Sequence, residues 1–199
     1  MSADNVVIIE GSGANIASLQ FALQRLGTTS VVSSNARRIR EASHVILPGV
    51  GAASNGMARL RDKHLHDLIP SLRQPVLGIC LGMQLLFEAS EEGAVACLGI
   101  IPGSAARIAA ASDRPVPHMG WNTIKIERAC PLLDGLQQGD YVYFVHSFAL
   151  PPSPATIAST EYGSPFSACV QWRNFYGAQF HPERSSKIGA RLLHNFLRL

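Results

Sequence analysis

The stretch PVLGICLGMQ, Pro75–Gln84, leads three apolar residues (Val76, Leu77, Ile79) and Gly78 into Cys80, and Gly82 follows at once. A short apolar run opened by a proline reads as a buried strand, here Pro75–Ile79. Beyond Cys80, the residues Met83, Leu85, Leu86 and Phe87 predict a helix that continues to a polar stop at Ser90–Gly93. The cysteine therefore sits on a strand-to-helix turn, and the same alternation extends on both sides of it. Upstream, Val6–Ile9, Thr29–Val32 and His44–Leu47 read as strands. Helices are expected over Ala14–Leu26, closed by Gly27 as a C-cap, and from about Ser54. Continuous apolar strands alternating with helices imply a parallel sheet covered on both faces.

The second half is richer in strand signals, at Asn122–Ile126, Tyr141–Val145, Thr156–Thr160, Phe166–Trp172 and Phe175–Phe180. It closes with a helix from about Ser185 to Leu197. The proline-rich ALPPSPA, 149–155, reads as a turn between strands. The expected fold is one α/β domain spanning residues 1–199, a mostly parallel central sheet flanked by helices with antiparallel additions in its second half. Ligands of such sheets bind at the carboxyl ends of the strands, where Gly49 and Cys80 fall.

The chain has 199 residues and a formal net charge of +3, too small and too dispersed to point to nucleic acid. Its densest basic stretch, Arg37-Arg38-Ile39-Arg40, reads as a solvated helix face. No run approaches the roughly 18–20 apolar residues of a membrane span, and the first residues lack the pattern of a secretory signal. A cytoplasmic protein with reduced thiols is expected. The four cysteines, Cys80, Cys97, Cys130 and Cys169, form no CxxC and no zinc-type spacing with histidine. His64 and His66 read as surface residues, so no metal and no cofactor is expected.

Gly78-Ile79-Cys80-Leu81-Gly82 has the form of a nucleophile elbow, in which residues two away from the nucleophile must be small so that strand and helix can approach. The helix start directs free backbone N–H groups toward the sulfur, which favours the reactive thiolate. Taken alone, a buried cysteine in a tight glycine turn explains the stretch equally well. A base and its orienter are available in Gln179-Phe180-His181-Pro182-Glu183: two apart in extended backbone, His181 and Glu183 point the same way. A carboxylate on one imidazole nitrogen fixes the tautomer and leaves the other nitrogen for the nucleophile. Leu47-Pro48-Gly49-Val50-Gly51 offers a third strand end whose N–H groups, with that of Leu81, can form an oxyanion hole. Neither glycine pair, Gly11-x-Gly13 nor Gly49-x-Gly51, completes a dinucleotide fingerprint.

Together GICLGMQ, LPGVG and QFHPE resemble the class I, triad-type glutamine amidotransferases, in that family's order and spacing. Pro117-His118-Met119-Gly120-Trp121-Asn122 and Tyr143-Phe144-Val145-His146-Ser147 resemble signatures of one branch, the glutaminase subunit of imidazole glycerol phosphate synthase. The resemblance covers essentially the whole chain. It implies a flavodoxin-like amidotransferase fold and hydrolysis of glutamine to glutamate and ammonia through a cysteine thioester. It also implies a heterodimer with a separate (β/α)8-barrel cyclase subunit. That subunit would receive the ammonia through an internal tunnel and make imidazole glycerol phosphate and AICAR from PRFAR in histidine biosynthesis.

Carried over by position, the resemblance makes Cys80 the nucleophile, His181 the base and Glu183 its orienter. Gly49, Val50, Gly51 and Leu81 line the oxyanion region, and Gln84, Glu92, Ser147 and Phe148 contact glutamine. Asn15, Met119, Trp121 and Tyr143 face the cyclase. Phe148 stands where the family commonly has tyrosine, which keeps the ring and drops the hydroxyl. Three rivals remain at this stage: a non-catalytic module of the same fold, another cysteine hydrolase on a flavodoxin-like sheet, and an amidotransferase serving a different acceptor.

Overall fold

Alternation along the first strands decides where the cores lie. In the computed structural model, which describes residues 5–10 and 16–199, strand β1 (Val6–Ile9) sends Val6 and Ile8 to one side of the sheet and Val7 and Ile9 to the other, all buried. Strand β3 (His44–Gly49) does the same, Ile46 against Val45 and Leu47, and so does β4 (Val76–Cys80), Leu77 and Ile79 against Val76. Apolar residues on both faces require cover on both. Helices α1 (Ile16–Arg25) and α5 (Ser186–Phe196) supply Leu19, Leu23, Leu192, Leu193 and Phe196 to one core. Helices α2 (Ala36–Glu41) and α3 (Ala53–Asp62) supply Ile39, Met57 and Leu60 to the other.

The eight-stranded sheet runs β2-β1-β3-β4-β14-β13-β12-β9, where β2 is Ser30–Ser33, β9 Lys125–Ile126, β12 Thr156–Tyr162, β13 Ser164–Trp172 and β14 Phe175–Ala178. The pairings from β2 through β14 are parallel; those among β14, β13, β12 and β9 are antiparallel. The expected α/β fold, parallel first and antiparallel later, is the observed one.

Local signals hold where short-range chemistry sets them. Gly27 closes α1 at φ +78°, its N–H donating to the Gln24 carbonyl. The basic stretch forms α2, capped by the Asn35 side chain accepting from the Arg38 N–H, with Ile39 buried beneath solvated arginines. The expected start of α1 at Ala14, like Asn15, lies outside the described residues.

The helix after Cys80 is a correction. It spans only Leu81–Leu85 (α4), and Phe87 to Ser90 form β5 in a second, four-stranded sheet, β11-β7-β5-β6, with β6 Val95–Ala96, β7 Ile101–Arg107 and β11 Phe148–Ala149. Leu81 through Leu85 are buried on every side, so the apolar run there carries no helical period. Pairing of Phe87 with Ile101 then takes the chain into strand. A further two-stranded ribbon joins β8 (His118–Thr123) to β10 (Tyr141–His146). The strand expected at Asn122–Ile126 is thus split between β8 and β9.

Candidate active site

Three neighbouring parallel strands, β3, β4 and β14, end on one edge of the sheet, and the site is built on those ends. Cys80 closes β4 opposite Gly49 of β3 and holds φ +54°, a left-handed conformation that non-glycine residues rarely adopt. The tightness of the turn explains its glycines. A Cβ on Gly82 would collide with the Leu47 carbonyl. One on Gly78 would lie 2.7 Å from Gly82 O and from Met83 Cα, and one on Gly49 2.8 Å from Gly82 N. Small residues at these points let β3, β4 and α4 close together, and the close packing leaves Cys80 at the rim, 6% exposed.

His181 follows β14. Its Nδ1 lies 2.9 Å from Glu183 Oε1, and both side chains are buried. The contact is made by a 3-10 turn over Pro182–Arg184, with His181 as its N-cap, rather than by the extended backbone expected from sequence. The turn is anchored to β10: the His181 N–H donates to Tyr143 O (3.0 Å), the Ser185 hydroxyl to His181 O (2.7 Å), and the Tyr143 N–H to Ser185 Oγ (2.9 Å). Glu183 Oε2 is buried and has no hydrogen-bond donor among the described residues, which leaves the imidazole as the principal answer to its charge. Burial opposes a charged imidazole, but hydrogen bonds with Cys80 and Glu183, and the negative charge of both, outweigh it and raise His181 to about 10. Thiol, imidazole and carboxylate thus act on one another, with the His181–Glu183 hydrogen bond as the fixed link.

A cleft of about 400 Å³ opens over the sulfur, and its walls include Gly49, Val50, Gly51, Leu81, Gln84, Glu92, Ser147 and Phe148 beside Cys80, His181 and Glu183. Glu92 also steadies the cleft's rim. Its Oε2 accepts from the Ala53 N–H (2.9 Å), capping α3 and tethering the loop that carries Gly49–Gly51. Phe148 enters β11, where it pairs with Arg107. Among the described residues no group of three His, Cys, Asp or Glu side chains is arranged to hold a metal ion.

Two residues that sequence reading did not single out lie at the centre of the site. Gln179 is fully buried, and its Nε2 lies 3.8 Å from the Cys80 sulfur. The Cys80 thiol itself donates to Val145 O at 3.7 Å. His146, on the cleft wall, donates through Nδ1 to Phe148 O (2.8 Å), and its Nε2 meets His118 Nδ1 at 3.0 Å. For Gln179 the signal was only its place inside QFHPE, because a 3-10 turn and not strand alternation sets His181 against Glu183. For His146 the signal was only its place inside YFVHS.

Of the residues expected to face the cyclase, Met119, Trp121 and Tyr143 lie outside the cleft, and Asn15 is not among the described residues. Met119 and Trp121 are 62% and 52% exposed on β8, and Tyr143 faces Trp121 across the ribbon at a ring distance of 5.8 Å. The Arg184 guanidinium stands over the Tyr143 ring at 5.0 Å.

The comparisons with known proteins agree with this arrangement. Residues 7–199 match the family described as glutamine amidotransferase class-I. Among curated relatives, imidazole glycerol phosphate synthase subunit HisH of Vibrio cholerae is 49% identical over 201 residues, covering 98% of each chain. Subunit HisH 2 of Legionella pneumophila strain Paris is 50% identical over 194 residues, again covering 98% of each. Two solved structures share the fold at low identity. One is a glutamine amidotransferase of Thermotoga maritima (TM-score 0.74, 15% identical, covering 100% of this chain and 98% of that one). The other is a second glutamine amidotransferase (TM-score 0.74, 19% identical, covering 97% of each). With a family match that takes in the whole cleft and near full-length relatives sharing about half its residues, this chain belongs to the class I glutamine amidotransferases.

Proposed function

We propose that this chain is the glutaminase subunit of an imidazole glycerol phosphate synthase. Acting as a single domain over residues 1–199, it hydrolyses glutamine and passes the ammonia to a separate (β/α)8-barrel cyclase subunit for histidine biosynthesis. The observation that carries the reading is the hydrogen-bonded His181–Glu183 pair lining one cleft with Cys80, in a chain about half identical to subunits of that name.

The geometry suits acyl transfer in two steps. Glu183 accepts a hydrogen bond from His181 Nδ1–H, which leaves Nε2 as the imidazole nitrogen available to the sulfur. His181, raised to about 10, takes the thiol proton, which gives imidazolium beside thiolate. The sulfur attacks the glutamine side-chain carbonyl, and the resulting oxyanion sits against backbone N–H groups of Leu81 and the Gly49–Gly51 loop. Each well-aimed donor of this kind contributes about 3–4 kcal/mol. His181 gives its proton to the amide nitrogen, so ammonia rather than an amide anion departs. Acylation consumes the sulfur's negative charge, and with it one of the influences that raise His181. The neutral imidazole is then a base able to take a proton from water, which attacks the thioester; glutamate leaves and the thiolate returns. No metal or cofactor enters these steps. Gln84, Glu92, Ser147 and Phe148 line the space for the substrate's backbone end.

The exposed Met119 and Trp121, with Tyr143, offer the docking face for the cyclase. Val145, on the same face of the ribbon, borders the cleft, so the docking face adjoins the reacting sulfur. Silence of the isolated subunit follows if the Gly49-Val50 peptide presents its N–H to the oxyanion only when the cyclase is loaded. The test is glutamate release from glutamine by the purified chain, alone and mixed with a cyclase subunit and its nucleotide ligand. A rise that needs both additions and is abolished in Cys80→Ala supports the reading. Glutamate release that persists in Cys80→Ala, or none in any mixture, overturns it.

A further inference from the structure

We infer that Gln179 is a further catalytic residue of this site, its side-chain N–H hydrogen-bonding to the Cys80 sulfur whenever that sulfur carries negative charge. The inference deepens the amidotransferase reading and rests on it for the identity of the substrate, though not for the contact itself.

The orientation of the amide is fixed by its neighbours. A backbone carbonyl only accepts, so the atom of Gln84 that lies 2.9 Å from Phe148 O is its nitrogen. That same nitrogen lies 3.0 Å from the Gln179 side chain and needs an acceptor there, so the Gln179 atom facing it is Oε1. The other end of Gln179, its Nε2, therefore points at the sulfur, 3.8 Å away. Among the described residues the sulfur is the one partner this nitrogen has. Gln179 is fully buried, and a buried N–H left without a good acceptor costs stability. A neutral thiol is a weak acceptor, whereas a thiolate is a strong one. The amide is thus satisfied best in the state that the chemistry requires.

The contact acts at both ends of the cycle. Before attack, the N–H stabilises the charge that His181 leaves on sulfur. In deacylation, water adds to the thioester carbonyl, the carbon–sulfur bond breaks, and its electron pair returns to sulfur, where the same N–H meets it. Gln179 gains and loses no proton, so the balance of the reaction is unchanged. Gln179 does not itself line the cleft, but its Oε1 holds Gln84, which does; a variant that keeps an oxygen for Gln84 therefore separates the effect on chemistry from the effect on substrate binding.

Two full-length variants test this. Gln179→Met keeps the volume and removes the donor; Gln179→Glu keeps the shape and sets a carboxyl oxygen against the sulfur. The readouts are the alkylation rate of Cys80 by iodoacetamide, which makes none of glutamine's contacts, and kcat and KM for glutamine in the complex with the cyclase subunit. Gln179→Met is expected to alkylate about tenfold more slowly at neutral pH, with the gap closing at alkaline pH, and to lose kcat by a similar factor. Gln179→Glu is expected to be slower still at neutral pH, and being isosteric it decides the matter if the methionine variant does not fold. Alkylation of both folded variants at the unmodified rate overturns the inference. Slow alkylation of both, in a chain that hydrolyses no glutamine with any partner, sustains the sulfur contact and overturns the amidotransferase reading.

Discussion

At Glu183 one oxygen faces the His181 imidazole and the other is buried without a donor among the described residues. Such a carboxylate is held in place by the cation it orients, and its charge is part of what raises His181 to about 10. Glu183→Gln removes that charge and lets the amide present N–H to Nδ1, which favours the wrong tautomer. The expected result is a fall in kcat of about a hundredfold or more, with the His181 titration followed by NMR moving down. An unchanged titration contradicts the ion-pair account. At this scale much of the site was legible in sequence. Cys80 was readable because its glycines carry a local steric demand, which the close approaches at Gly78 and Gly82 express. Gln179 was passed over because a buried polar side chain two residues before a motif histidine looks like packing until its partners in space are known.

At the scale of elements, the ribbon of β8 and β10 has one wet and one dry face. Met119 and Trp121 point outward, while His118, Phe144 and His146 point into the core. The two histidines are hydrogen-bonded to each other, with His118 stacked on Phe144 and Tyr162. Burial keeps both neutral and lowers each from 6.5 to about 4; for His146 the Phe148 carbonyl opposes that and the charges of His118 and His181 add to it. A depressed histidine contributes stability above its unfolded value that is lost as pH falls, because unfolding then takes up the proton. Stability against urea is therefore expected to weaken between pH 6.5 and about 4, by up to about 1.4 kcal/mol per pH unit for each histidine. His181, raised instead, contributes stability that is full below 6.5 and fades as pH climbs toward about 10. The maximum should lie near neutrality, and a flat acid limb in urea titrations contradicts the neutral pair. The sequence did not disclose this ribbon in full, since β8 begins within a motif whose alternation of histidine, glycine and tryptophan carries no apolar period. Nor did it disclose β5, because a run buried on all sides hides the switch from helix to strand.

Across the whole molecule, four free cysteines differ by environment. Burial pushes the Cys97 thiol up to about 11 and raises those of Cys130 and Cys169 as well, so all three stay protonated and unreactive at neutral pH. Cys80 alone stands at a strand end with an imidazole beside it and a cleft above it. The sheet explains how residues so far apart in sequence meet: β3, β4 and β14 are adjacent and parallel, so their carboxyl ends share one edge. The parallel character of the first strands was implied by the βαβ alternation, whereas the place of β14 beside β4 and the second small sheet depend on long-range pairing that no local period announces. The most direct test of the central claim is mass spectrometry of the folded chain, in complex with a cyclase subunit and its nucleotide ligand, after exposure to a glutamine-mimicking electrophile such as 6-diazo-5-oxonorleucine. One covalent adduct on Cys80, and none on Cys97, Cys130 or Cys169, is the predicted result. A folded chain left unlabelled at Cys80, or labelled equally at the other cysteines, contradicts it.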